Sequence, residues 1–314
     1  MTDLITPIVF KPIFQERIWG GRKLEELFGK SIPAGKRIGE SWEIVDRPEA
    51  QSMVQDGPLA DRSLHDLWVN FRKEVFGKVR DAPRFPLLIK LLDAREKLSL
   101  QVHPTEEVAE MLGGKAKTEF WYVAAAEPGA EIYVGLRETM ARGQFEQALR
   151  SGTIAECVHP IPVKQGDAMF LPSGRFHAIG AGNVLVEVQQ NSDTTYRVFD
   201  WNRVDDSGQP RSLHIEEALR CIDFNDVTPR LSEPDGDVLV RHDLFVVEKW
   251  ELQSSREAAA REQCAILCCL HGSLQCGDAH FTPGQFFLVP ASMPDREIRP
   301  GGEGTSLLRV TIPV

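Results

Sequence analysis

The alternation of apolar and polar positions divides the chain into strand-rich stretches with short helices between them. From Phe85 to about Val134 the runs FPLLIKLLDA, KLSLQVHP, TEFWYVAAA and EIYVGL read as strands. Strands resume at 154 and run to about 200, and residues 236–314 are again short strands with turns. Helical spacing predicts a helix over 63–76, where Leu64, Leu67, Trp68, Phe71 and Val75 form one stripe. WGGRKLEELFG (19–29) predicts a turn and then a short helix. Residues 104–114, with acids in the first turn and glycine at the end, predict another, as do 143–152 and 212–222.

An internal repeat organises the strands. QGDAMFLPSGRFHAI (165–179) aligns with PGQFFLVPASMPDRE (283–297) at an offset of 118. Gly166 matches Gly284 and Pro172 matches Pro290, and each copy reads as a glycine turn, a short strand and a proline-started loop. Such repeats predict β-sandwich or barrel lobes. The copies are unequal, because His177 of the first falls on Asp295 of the second. If His177 is functional, the second lobe has lost that role.

Composition narrows the classes. At 314 residues the chain is long enough for about two domains or one large double-layered fold. Lysine and arginine number 36 against 46 acids, a net charge of −10 that argues against a general nucleic-acid binder. No apolar run approaches the roughly 20 residues of a membrane helix, and no secretory signal is visible at the start, so no membrane partner is expected and the cytoplasm is the default compartment. Four of the six cysteines crowd CAILCCLHGSLQC, which reads as a strand. Adjacent strand residues point to opposite faces, so Cys268 and Cys269 cannot share a ligand side, and a reduced core is expected.

The strand KLSLQVHP carries the sharpest chemical signal. Ser99, Gln101 and His103 lie on one face, with Leu98, Leu100 and Val102 on the other. In KTEFWYV the same alternation puts Lys117 and Glu119 together, and His177 follows a Pro-Ser-Gly turn. Gln101, His103, Glu119 and His177 form a set of two imidazoles, a carboxylate and an amide oxygen that suits zinc or another first-row divalent ion. Each residue alone has a plainer reading as a hydrogen-bonded or surface group; the joint pattern carries the inference. In VLVEVQQ, Leu185, Glu187 and Gln189 share one side. Asp193, Arg197, Asp200 and Arg203 then crowd one short segment, where guanidinium groups suit a phosphorylated substrate and internal Asp–Arg pairing is the alternative.

Taken together, WGG (19–21), GESWEI (39–44), LSLQVHP (98–104), KTEFWYV (117–123), LPSGRFHAIGAG (171–182) and EVQQNSDTTYRVFDWNR (187–203) resemble the type I phosphomannose isomerases, zinc-dependent enzymes of the cupin superfamily, in their compact bacterial branch. The resemblance implies a mainly β fold with short helices: a two-lobed cupin of double β-barrel or jelly-roll form with an N-terminal helical segment. It implies a catalytic, metal-binding lobe over 1–235 and a degenerate second cupin over 236–314. It implies one zinc ion per chain on Gln101, His103, Glu119 and His177, and interconversion of mannose 6-phosphate and fructose 6-phosphate through a cis-enediol. Arg197, Lys117, Glu187 and Asp193 are the expected catalytic groups, and Ser99, Lys117, Arg197 and Arg203 the substrate-binding ones. The expected partner is a small phosphosugar, with no nucleic acid and no membrane, on a monomer or weak homodimer. A different sugar-phosphate isomerase, an iron oxygenase and a non-catalytic sugar-binding cupin are the competing readings.

Overall fold

A computed structural model describes residues 6–205 and 207–313. Four sheets carry the architecture. The first has six strands in the order Ile13–Gly21, Ile38–Ile44, Leu87–Ala94, Asn183–Gln190, Glu119–Ala126 and Ala168–Leu171. It faces a sheet of five, ordered Tyr196–Phe199, Leu100–Val102, His177–Ile179, Glu131–Leu136 and Val158–Pro162. The second lobe repeats the plan with a five-stranded sheet, Val238–Arg241, Val246–Leu252, Thr305–Thr311, Ala265–His271 and Phe286–Val289, and a four-stranded one. Each lobe is therefore a jelly-roll-like pair of facing antiparallel sheets, as the resemblance implies, and the ladders among the described residues do not close into a continuous barrel.

The 118-residue repeat is visible in the ladders. Ala168–Leu171 and Phe286–Val289 are both edge strands at that offset, each following a left-handed glycine, Gly166 at φ 95° and Gly284 at φ 79°. Strand pairing extends the correspondence. Leu171 pairs with Glu119, and its repeat equivalent Val289 pairs with Ala265. Glu187 lies between Trp121 and Lys90, and by the same register Arg309 lies between Leu267 and Glu248. Ala265 thus occupies the place of Glu119, and the Arg309–Glu248 pair the place of Glu187 and Lys90.

Burial explains the near-continuous apolar strands. Val184, Val186 and Val188 join Ile89, Leu91, Ile266, Cys268, Leu308 and Val310 in one core between the lobes. Leu185 points the other way, into the first lobe with Trp121, Val123 and Leu171. A strand covered on both faces needs no polar side, so its charged residues stand out. Cys268 and Cys269 face different cores, and all six cysteines are free thiols.

The helices follow the sequence with three corrections, one of them that Ile154–Cys157, where strands were expected to resume, is a short helix and the strand begins at Val158. The stripe over 63–76 is broken at Phe71 into Leu64–Asn70 and Arg72–Val75, because Phe71 takes φ −128° and leaves helical space. WGG is not a turn: it ends the strand Ile13–Gly21 at an irregular register, and only Lys23–Phe28 is helical. Glycine is required there, since a Cβ on Gly20 would lie 2.4 Å from the Gly39 nitrogen. No helix among the described residues is long and apolar enough to cross a membrane.

Candidate active site

The first lobe opens at one end into a cavity of about 460 Å3, of a size that suits a small ligand. Behind the cavity-lining Gln101 and Lys117 lies a buried polar cluster from three strands. Gln101 lies within Leu100–Val102 and His103 directly follows it; His177 begins the neighbouring strand and pairs with Gln101. Glu119 begins a strand of the facing sheet. His103 Nε2 lies 3.5 Å from Glu119 Oε2, and His177 Nε2 lies 3.3 Å from Glu119 Oε1. The Gln101 amide nitrogen is 3.3 Å from His177 Nε2; turned over, the amide presents its oxygen to the same point.

Backbone carbonyls fix both rings. His103 Nδ1 donates to the Thr194 carbonyl at 2.9 Å, and His177 Nδ1 to the Arg175 carbonyl at 2.8 Å. Those bonds place the hydrogen on Nδ1 and leave each Nε2 with a lone pair toward Glu119, the arrangement a metal-ligating histidine uses. Burial, then the Lys117 ammonium, push His103 down to about 4, and burial lowers His177 as well, so both rings are neutral near pH 7. Burial alone would raise Glu119, but the Lys117 ammonium holds it well below the usual carboxylate range.

The carboxylate is under-used by the protein itself. Glu119 is fully buried, yet neither oxygen accepts a well-directed hydrogen bond, although the Lys117 ammonium lies 2.8 Å from Oε2. A buried carboxylate facing two imidazole lone pairs suits a cation, and the Lys117 ammonium lies beside it, 3.2 Å from His103 Nε2. His103, Glu119 and His177 place their ligand atoms within 4.8 Å of one another.

Beside this cluster the cavity carries a second charged layer. Glu187 Oε2 accepts from the Trp121 indole at 2.9 Å, while Oε1 faces Lys90 at 3.2 Å and Lys117 at 3.9 Å. Lys90 also meets Glu40 at 3.6 Å. Burial works against the Glu40 carboxylate, but Lys90, Arg17 and the Trp42 indole outweigh it and bring it down to about 2. Ser99, Lys117, Glu187, Asp193 and Arg197 all line the cavity. Arg197 donates through Nε to Ser99 Oγ at 3.3 Å and through Nη1 to the Ser212 carbonyl, which orients its guanidinium.

Among the expected catalytic and substrate-binding residues, the structure separates one from the rest. Arg203 does not line the cavity; Asp200 holds it at 2.5 Å. The same Asp200 binds Arg211 through two nitrogens, and Arg211 lines the cavity. Sequence reasoning passed over Arg211, Lys90, Glu40, Arg17 and Trp19, all cavity-lining. The signals were present for two of them, since Lys90 interrupts the apolar run LLIKLL and Glu40 sits inside GESWEI.

Comparison with known proteins is consistent along the whole chain. Residues 8–147 match the family model described as phosphomannose isomerase type I, catalytic domain. A Bacillus subtilis protein named a probable mannose-6-phosphate isomerase is 37% identical over 98% of this chain and 99% of its own length. The crystal structure of the mannose 6-phosphate isomerase of Bacillus subtilis superposes with a TM-score of 0.86 at 35% identity, covering 98% of this chain and 100% of that one. A mannose 6-phosphate isomerase crystallised with zinc and yttrium, 19% identical, shares the fold with a TM-score of 0.74 over 98% of this chain and 100% of its own. The chain belongs to the type I mannose-6-phosphate isomerase family and is an aldose–ketose isomerase.

Proposed function

We propose that the chain interconverts mannose 6-phosphate and fructose 6-phosphate by moving a proton between C2 and C1 through a cis-enediol, with one zinc ion held by Gln101, His103, Glu119 and His177. The observation that carries this reading is the buried Glu119 carboxylate, set between the Nε2 atoms of two neutral imidazoles directly behind the cavity-lining Gln101 and Lys117. Two nitrogen and two oxygen donors suit zinc, and a solved enzyme of the same fold was crystallised with it. When bound, zinc supplies Lewis-acid polarisation of the sugar oxygens as negative charge develops on them.

The protein's own groups do the rest. Glu187 is the proposed proton carrier. Its Oε1 makes no well-directed hydrogen bond although it is buried in the cavity wall. Glu40 is a poorer base because Arg17 and Trp42 occupy its oxygens and hold it near 2. Asp193 is exposed, so water competes with substrate for it. One carboxylate reaching both carbons on one face takes the C2 proton and returns it at C1. Lys117 stands between Glu119 and Glu187 and steadies charge on the enediol oxygens. Arg197 and Arg211 at the rim grip the phosphate, with Ser99 orienting Arg197.

The test is turnover of mannose 6-phosphate in deuterium oxide. Incorporation of solvent deuterium at C1 of fructose 6-phosphate, lost in Glu187→Gln, is expected. Turnover with no solvent deuterium in the product contradicts the enediol and points to a hydride shift.

A further inference from the structure

The second lobe keeps a pocket where the first lobe keeps its active site. Arg309 and Glu248 sit at the ladder positions of Glu187 and Lys90, and both line a cavity of about 610 Å3. Trp250 lies two residues beyond Glu248, the place of the cavity-lining Leu92 in the first lobe. The metal position is gone, since Ala265 stands where Glu119 stands. The interior around Ala265 is apolar, and the arginines lie beside it in the pocket. Arg256, Arg261, Arg296 and Arg309 line this pocket; Asp237 pairs with Arg256 at 2.6 Å, Glu257 lies 3.8 Å from Arg296 and Glu248 pairs with Arg309, which leaves Arg261 as the cation without an acid partner among the described residues.

The guanidinium groups are held in place rather than loose. Arg256 lies 3.8 Å from the centre of the Trp250 ring and Arg309 lies 5.2 Å from it. Arg309 pairs with Glu248, and the buried Arg296 donates to the Ala260 carbonyl at 2.7 Å. Two donors are unspent. The Trp250 indole N–H is buried and has no acceptor, although the residue is only 2% exposed. Arg261 is exposed and makes no hydrogen bond or ion pair among the described residues. A buried N–H without an acceptor is costly to leave unmade, and an anionic oxygen in this pocket would satisfy it.

We propose that the mouth of the second lobe is a phosphate-binding site, separate from the active site, that takes the phosphate group of a small phosphorylated molecule. Forked guanidinium donors fix a phosphate through paired hydrogen bonds, the Trp250 N–H adds one more, and Glu257 accepts from ligand hydroxyls.

The test uses the full-length zinc-loaded protein, 15N-labelled at its tryptophan indoles, titrated with inorganic phosphate at an ionic strength held constant with chloride. The Trp250 resonance, assigned by its disappearance in Trp250→Phe, is expected to shift saturably. Arg261→Ala alters an exposed side chain and is expected to weaken that response about 10-fold or more. It should leave the Trp121 indole, which reports the first-lobe cavity, responding as before, with mannose 6-phosphate turnover unchanged. Glycerol phosphate in place of inorganic phosphate separates the sources: tighter saturation assigns a phosphomonoester, equal saturation free phosphate. A Trp250 resonance that does not move, that moves equally with chloride alone, or that responds unchanged in Arg261→Ala overturns the proposal.

Discussion

The two lobes share a ladder and differ in what they place on it. At one register position the first lobe carries Glu119 and the second Ala265. Around Glu119 the first lobe gathers His103, His177 and Lys117; around Ala265 the second gathers Leu267, Leu274, Phe287 and Val289. Phe281 and Phe287 stack in that interior with ring centres 3.7 Å apart. The comparison teaches that the fold tolerates either filling. A packed apolar interior stabilises the second lobe, while the first gives up that packing at one end to bury a cluster of charges.

The largest expected break in the comparison is Glu119→Ala, which gives the first lobe the residue the second already has. Metal content should fall to background and turnover by about 1,000-fold or more, because the remaining histidines lack their carboxylate partner. Retention of one bound zinc by this variant, measured by elemental analysis, would show that Glu119 is not a ligand. Glu187→Gln comes next, with kcat lowered by roughly 100- to 10,000-fold and the metal retained. A variant that loses zinc along with activity would make Glu187 a structural member of the cluster instead.

The converse lesion lies in the second lobe. Leu267→Ala should cost about 2–5 kcal/mol of stability in thermal or urea unfolding while kcat per folded enzyme stays unchanged. A selective loss of kcat there would mean that the second lobe shapes the active site more than its position indicates.

Much of this contrast is legible in the sequence, and the reason is periodicity. The repeat at 118 residues locates both edge strands, and alternation along KLSLQVHP and KTEFWYV puts the proposed ligands on one side of their strands. Cys268 and Cys269 part to opposite faces for the same reason. What alternation does not reveal is which strands are neighbours. Lys90 and Glu187 are far apart in sequence and meet only because Leu87–Ala94 pairs with Asn183–Gln190. The exchange of Arg203 for Arg211 at the cavity wall has a similar origin. Both bind Asp200, and only the path of the loop after Phe199 decides which one reaches the cavity.

The smallest expected effect concerns Asp93, a buried carboxyl of the strand Leu87–Ala94. Burial raises Asp93 from its ordinary 3.8 to about 6, with only the Lys23 backbone N–H and nearby positive charges opposing it. The folded protein therefore holds this proton more tightly than the unfolded chain. The stability this contributes is present in full below the ordinary value and is lost as pH rises through about 6. Asp93→Asn should flatten the pH dependence of unfolding in that window by roughly 1–2 kcal/mol. An unchanged pH profile in that variant would remove Asp93 from the account.

The central claim, that the chemistry rests on one metal site in the first lobe, is tested most directly by zinc titration of the chelated enzyme while mannose 6-phosphate conversion is followed. Activity that is absent without metal, rises in proportion to added zinc and saturates at one ion per chain is the predicted result. Full turnover in metal-free protein, or saturation only at two ions per chain, would contradict it.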